Sequence, residues 1–330
     1  MSIANIINPE VLGALVHLRL PNLLPNVPGL DTTSEFAVGT PGTSWEIPTT
    51  GALQDLVRDG EGVTLTPQGL SQGRYKMVVQ RAGQAYKVPD IDEMVAKYSP
   101  RRNLTDEITD KITNEYADNI AGKVAEYMLA RRFDVIEGAI PTANRQDATD
   151  GTLEASDVRA ARYKLGDKHV KLKFMLCTSK VQKDLEVAGA ISFQPMSQVL
   201  PLYGTQVNQL GAAQGQNLVP TVAGMILIVT DAIAASGSSP TLYPTYLLSE
   251  KAMGLFYQRM LTIEYDRESL IDGGYDIVIP RLDFVMCLHG VSYSEGSDPQ
   301  SYTSAALKNT SNYTLKFDQK DIGAVRIESQ

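Results

Sequence analysis

The chain has 330 residues, 43% of them hydrophobic and 21% charged, with a formal net charge of −8. That is globular composition, long enough for a large core and about two domains. The acidic balance excludes a general nucleic-acid binder, which needs a basic field to neutralise phosphates, but not a container wall that merely faces nucleic acid.

Residues 1–44 carry Pro9, Pro21, Pro25, Pro28 and Pro41 among scattered leucines. That spacing forbids a long helix and predicts an extended arm with one short helical piece near 9–18. The same stretch lacks a basic leader and a small-residue cleavage site, so no signal peptide is expected. The longest apolar runs, such as 224–229, are too short to span a bilayer. Cys177 and Cys287 lie far apart in apolar runs and read as buried small hydrophobes. The expectation is a soluble protein of a reducing compartment, with no membrane partner.

Residues 45–90 read as a β ribbon. From Gly73 the chain alternates: Tyr75, Met77 and Val79 point one way, Arg74, Lys76 and Gln80 the other. Near Ala82-Gly83 the alternation changes phase, so that Tyr86 and Val88 share the parity of the earlier polar positions, which predicts a bulge or bend. The preceding stretch, with Asp59-Gly60-Glu61-Gly62, Pro67 and Gly69, is turn-rich and poor in large apolar residues. An isolated two-stranded ribbon is marginal in water, so this one must lean on something.

The strongest local signal is a helix over 104–137. Asn103 or Thr105 can cap it, Asp106 and Glu107 suit its first turn, and Gly138 is the expected stop. Leu104, Ile108, Ile112, Tyr116, Ile120, Val124 and Met128 recur every fourth residue, with Ala117, Ala121 and Ala125 beside them. Each such step turns about 400°, so the stripe winds round the helix and its two ends face different neighbours. At roughly 1.5 Å per residue the rod is about 50 Å long, a spine rather than a surface helix.

After Gly151 the pattern is mixed. Ser156 or Asp157 caps a short helix ending near Leu165-Gly166, and a strand follows over 170–177, first alternating with lysines and then wholly apolar. A second short helix fits 179–187, and the Gln/Gly/Pro-rich residues 190–220 read as a long loop. Strands fit 225–230, 245–248, 261–265, 275–279 and 284–288, with a turn at Asp272-Gly273-Gly274. Strands and helices do not alternate regularly, so the class is α+β rather than βαβ.

Candidate chemistry is sparse. Gly69-Leu70-Ser71-Gln72-Gly73 matches G-x-S-x-G, but a nucleophile elbow needs a buried strand before the serine and a helix after it, and neither pattern is present. A serine hydrolase using Ser71 is therefore a distant alternative. His17, His169 and His289 show no metal-ligand spacing with the cysteines; His169 reads as a surface residue and His289 as a strand end. The series Glu264, Asp266, Glu268, Asp272 and Asp276 lacks a calcium-loop pattern and reads as a solvated face. Arg101-Arg102 and Arg131-Arg132 read as charges at the helix ends. No catalytic residue, cofactor or metal is expected.

The order of these features carries a resemblance. GTSWEIPTTGALQDLVRDGEGVTLTPQGLSQGRYKMVVQRAGQAYKVPD is similar to an extended loop with Glu61-Gly62…Pro67 at its tip and Arg81-x-Gly83-x-Ala85-x-x-Val88 on its return strand. NLTDEITDKITNEYADNIAGKVAEYMLARRFDVIEGA is similar to a spine helix, and SDVRAARYKLGDKHVKLKFMLCTSKVQKDLEVAGAI to a segment entering an axial domain. YLLSEKAMGLFYQRMLTIEYDRESLIDGGYDIVIPRLDFVMCLHGVSY, closing on His289-Gly290, is similar to a set of late strands. From about Gly42 to Ser294 the chain thus resembles the major capsid proteins of tailed bacteriophages, whose shared fold is named after a Hong Kong coliphage.

The resemblance implies an α+β phage major-capsid fold: an N-terminal arm (1–44), an extended loop (45–90), a peripheral domain built on the spine helix (91–151 and 255–297) and an axial domain (152–254). Residues 298–330 run past the common end as an extension, although 313–317 and 322–327 alternate like further strands. It implies a structural role in the virion: pentamers and hexamers self-assembling, in the host cytoplasm, into an icosahedral shell around double-stranded DNA, bound without sequence specificity. Partners would be the chain itself, a separate scaffolding protein, a portal and a cement protein. Tyr75, Met77, Val79 and Tyr86 are the expected inter-subunit contacts of the loop. The alternative within the same fold is a nanocompartment, encapsulin-like shell around an enzyme cargo.

Overall fold

The computed structural model describes residues 15, 30–31, 44–50, 72–89, 105–195, 218–237, 240–250, 252–268, 275–294 and 302–330. In chain order its strands are β1 (Leu30–Asp31), β2 (Ser44–Thr50), β3 (Gln72–Gly83), β4 (Tyr86–Pro89), β5 (Arg145–Ala148), β6 (Leu172–Cys177), β7 (Ser192–Pro195) and β8 (Leu218–Val222). They continue with β9 (Met225–Val229), β10 (Tyr243–Ser249), β11 (Met253–Glu268), β12 (Tyr275–Leu288), β13 (Val291–Tyr293), β14 (Tyr313–Leu315) and β15 (Ala324–Ser329). The helices are α1 (Thr105–Ala139), α2 (Ala155–Arg162), α3 (Ser179–Val187) and α4 (Ser304–Lys308).

Two larger sheets share α1. One runs β1-β11-β12-β3-β2, with β4 also on β12; the other is seven-stranded, β5-β15-β10-β6-β9-β8-β7. The seven-stranded sheet is covered on both faces, which explains the wholly apolar run that ends β6. Phe174 and Leu176 face the α1 side, while Met175 and Cys177 face the second core under α2 and α3. Tyr246 and Leu248 of β10 follow the first pair and Leu247 the second.

The helix α1 meets one sheet with its middle and the other with its end. Tyr127 packs edge-on against Phe284 of β12, whereas Phe133 stacks on Tyr246 of β10. The expected winding of its apolar stripe is thereby used. The fully buried line is Ala117, Ala121 and Ala125 with Ile120 and Met128, while Tyr116 and Val124 stay half-buried at its margin. Small residues on that line let the helix sit close on the sheet.

Several boundaries differ from the sequence expectation. Gly138 does not stop α1, which continues to Ala139. Its glycine serves a close approach instead: a Cβ there would overlap the Leu307 carbonyl oxygen and lie 2.6 Å from a ring carbon of Tyr313. A glycine-to-alanine change inside a helix ordinarily gains about 1 kcal/mol. Gly138→Ala is expected to lose about 1–3 kcal/mol through overpacking, and urea unfolding of the two chains reads the sign.

Neither Ser156 nor Asp157 caps α2. Glu154 is the cap, in a box with Asp157, whose carboxylate accepts from the Glu154 N–H at 3.1 Å. The chain then passes into a 3-10 stretch, Tyr163–Lys171, turned at Gly166 with φ 58°. The predicted loop 190–220 holds two paired strands at its ends, β7 and β8, and residues 196–217 lie outside the described set.

The strands expected at 275–279 and 284–288 are one continuous strand, β12. Pro280 sits in its middle, opposite the two-residue gap Gln84-Ala85 between β3 and β4. A proline inside a sheet removes a ladder donor, and this one falls where that edge of β12 has no described strand partner.

Residues 302–330 are not an appendage. β15 lies inside the seven-stranded sheet, antiparallel to β10 and parallel to β5. Arg326 on that strand is buried and reaches the end of α1: its Nη2 lies 3.4 Å from Glu137 and also pairs with Glu328. Lys308 of α4 adds a second cation 3.1 Å from Glu137, and Arg145 donates to the Glu137 carbonyl oxygen at 2.6 Å. Leu15, in the stretch expected to hold the arm's short helical piece, is helical and half-buried against the core.

Candidate functional site

The ribbon expected over 45–90 is built by β2 and β3, antiparallel from Ser44↔Val78 to Thr50↔Gln72. The next residue, Val79, pairs with Val285 of β12, and pairing on that side continues to Gly83 opposite Arg281. The handover is abrupt. Residues 72–78 have β2 as their partner and residues 79–83 have β12, so among the described residues the outer half of β3 is a two-stranded ribbon. At roughly 3.3 Å per residue its paired part extends about 23 Å.

The parity of β3 is readable only at its root. At the root, Gln80 is buried and Ala82 half-buried, so even-numbered positions face the helix side. Tyr86, after the gap, is half-buried on the same core. The core-facing parity thus stays even, and the apparent phase change reflects an inward glutamine rather than a bulge. Tyr75 and Met77 of the outer half and Val79 at the root occupy odd positions; their side chains lie outside the described residues.

Of the four expected contact residues, Tyr75 and Met77 lie in the part of β3 paired with β2 and Val79 at its root. Tyr86 belongs to the body. The tip, including Asp59, Glu61 and Ser71, lies outside the described residues. Strand β3 begins directly after Ser71, at the place where a nucleophile elbow requires a helix.

Elsewhere several of the polar groups singled out in the sequence have structural partners. Arg131 is not a helix-end charge: it lies well inside α1, donates to Asp134 at 3.0 Å and sits 5.1 Å over the Tyr127 ring. Arg132 is buried. Arg101-Arg102 and His17 lie outside the described residues.

His169 lies in the 3-10 stretch with its Nδ1 2.8 Å from the Gly166 carbonyl oxygen and its ring tilted at 45° against Tyr163. His289 is exposed in the turn after β12. Glu264 of the acidic series is held by Arg259 at 3.0 Å and Arg281 at 3.1 Å. Among the described residues no cluster of three or more His, Cys, Asp or Glu side chains is arranged for a metal, and no helix is long and apolar enough to cross a membrane. Cys177 and Cys287 are buried and unbridged, and desolvation pushes each thiol up to about 12, far from a reactive thiolate at neutral pH.

No protein-family model and no curated protein matches the chain. The fold does match solved structures. The capsid of Ralstonia phage GP4 superposes with a TM-score of 0.55 at 10% identity, over 91% of this chain and 86% of that one. The capsid structure of the cyanophage P-SCSP1u gives 0.52 at 10% identity, over 89% and 85%. A structure from Microbacterium phage Oxtober96 gives 0.51 at 12% identity, over 92% and 90%. At such identities the likeness is one of fold.

Proposed function

We propose that this chain is a structural shell subunit of a tailed virus, assembling through pentamers and hexamers into an icosahedral capsid around double-stranded DNA. The observation that carries the proposal is the ribbon: seven residue pairs of β2 and β3 that have no further strand partner among the described residues, with apolar residues alternating along β3 in the sequence. A ribbon of that kind is marginal alone and is stabilised by a surface outside its own domain. The capsid fold of the solved relatives supports the same reading.

In this reading the protein is not an enzyme. Tyr75, Met77 and Val79 are ribbon contacts on a neighbour, and Tyr86 holds the ribbon's root to the body. The arm is residues 1–44, the loop 45–90, the peripheral part the spine helix with the six-stranded sheet, and the axial part the seven-stranded sheet, to which residues 302–330 contribute β15. A separate scaffolding protein, a portal and a cement protein are the further partners. The packaged DNA is met without sequence-specific contacts, and assembly takes place in the host cytoplasm.

Sedimentation of the purified full chain tests the proposal. Rings or shells far heavier than one chain support it, and a species that stays monomeric at high concentration refutes it. The contents of recovered particles separate a genome container from a nanocompartment, which would hold an enzyme instead of nucleic acid.

A further inference from the structure

The basic residues are spread unevenly along the chain. Residues 159–173 (RAARYKLGDKHVKLK) carry Arg159, Arg162, Lys164, Lys168, Lys171 and Lys173 against the carboxylate of Asp167. Six cations against one carboxylate give this stretch a net +5, in a chain whose total is −8. It comprises the end of α2, the 3-10 stretch and the start of β6, all among the described residues.

The apolar residues of the stretch fix the way its charges face. Ala161, Leu165 and Leu172 are buried in the core under α2 and α3, and Arg159, Lys164 and Lys171 are exposed on the outside. The chain turns at Gly166, and Lys168 and Lys171 come together on one oxygen of Asp321, at 2.5 and 3.4 Å. Lys320 of the C-terminal segment joins them, since a Cβ on Gly166 would lie 3.6 Å from its Nζ. Asp167 and Asp318 also act on Lys168.

Two of the six cations serve the fold. Arg162 donates to the Ala223 carbonyl oxygen at 2.7 Å, and Lys173 pairs with Glu250 at 2.7 Å. The others stand on a rigid support, beside a Tyr163 ring that is 63% exposed. Lysine, arginine and tyrosine donors presented in this way suit a phosphate backbone, which they hold without reading its sequence.

We propose that residues 159–173 are the face through which the chain meets packaged duplex DNA, by phosphate contacts of Arg159, Lys164, Lys168 and Lys171. The proposal rests on the shell reading above and adds to it the place where the wall touches its contents. Duplex DNA is the occupant because the shell reading encloses it, and because its dense row of phosphates matches cations set out along an exposed stretch.

The first test measures binding of the unassembled full chain to a short duplex of arbitrary sequence, by fluorescence anisotropy at several salt concentrations. Lys164→Gln/Lys171→Gln is expected to weaken binding at least tenfold at low salt. It should also make the dependence of log K on log salt shallower by about 2, since each phosphate contact contributes roughly 0.9. Lys164→Arg/Lys171→Arg keeps the wild-type slope. So does Lys123→Gln/Lys316→Gln, which removes the same charge from exposed positions elsewhere. Melting of the unassembled chain stays near wild type in all three, because Lys168 still serves Asp321. The second test is lysine acylation in particles assembled with and without duplex DNA. Lys164 and Lys171 are expected to react at least threefold more slowly when DNA is inside.

A wild-type chain that does not bind the duplex at low salt overturns the DNA contact and leaves the shell reading standing. An unchanged salt slope in Lys164→Gln/Lys171→Gln, or lysines as reactive in filled particles as in the unassembled chain, does the same. Equal protection in filled and empty particles also overturns it, and assigns the face to a protein neighbour. A wild-type chain that forms no particles removes the shell reading and this contact with it.

Discussion

A Tyr75→Asp/Met77→Asp double variant is expected to fold normally and to fail to assemble. Both positions lie in the stretch of β3 whose only described strand partner is β2. Surface changes of this kind move the stability of the unassembled chain by no more than about 0.5 kcal/mol. In a docked ribbon the same residues would bury two unpaired carboxylates. Even at about 2 kcal/mol each, the low side for a buried polar group without a partner, the penalty is about 4 kcal/mol per contact, roughly a thousandfold in affinity. Thermal melting of the unassembled chain and light scattering of the same sample separate the two effects. A double variant that assembles like the wild type removes the ribbon from the account.

The second large effect concerns the body. Arg326→Leu is expected to destabilise the chain by about 3 kcal/mol, because it strips a buried cation from Glu137 and Glu328 while Lys308 still serves Glu137. Arg326 has 4% of its side chain exposed and Glu137 15%, so water cannot replace the lost partner. The loss is therefore much greater than for an exposed pair such as Lys123–Glu126 on the same helix. Adding Glu137→Gln is expected to recover part of it, since the under-compensated carboxylates are the main cost, and a double-mutant cycle in urea gives that coupling. A cost under 1 kcal/mol for Arg326→Leu would mean that β15 is not anchored to α1 through this charge.

Much of this architecture is legible in the residues because local signals agree with the global fold. The spine helix announces itself through a cap region, an apolar stripe and its length, and the buried strand β6 through an uninterrupted apolar run. The segment Ser179–Val187 is a helix as its pattern predicts, with the Thr178 hydroxyl accepting from the Val181 N–H.

Three features stay hidden for physical reasons. Gly138 reads as a stop because glycine ends helices more often than it admits a crossing backbone. Pro280 reads as a break between strands, since only the sheet shows that its side of β12 faces a gap. Residues 302–330 look detachable because β15 is short and carries Arg326 and Glu328, polar positions that make sense only beside Glu137.

The candidate site divides in the same way. The ribbon's alternation is visible in sequence, but the direction its apolar face takes is not. Gln80 makes the inward parity look outward, and only its burial against α1 corrects that. The hold of Arg281 on Glu264 is not legible at all: the two are separated along the chain and meet through the register of β11 and β12.

The central claim is that the missing core of the ribbon is supplied by another copy. Electron-microscopic reconstruction of particles formed by the full chain tests it most directly. The account predicts shells or capsomer rings in which β2 and residues 72–78 of one copy lie against the body of the next. A uniform population of single chains, or particles in which the ribbon meets no neighbour, would contradict it.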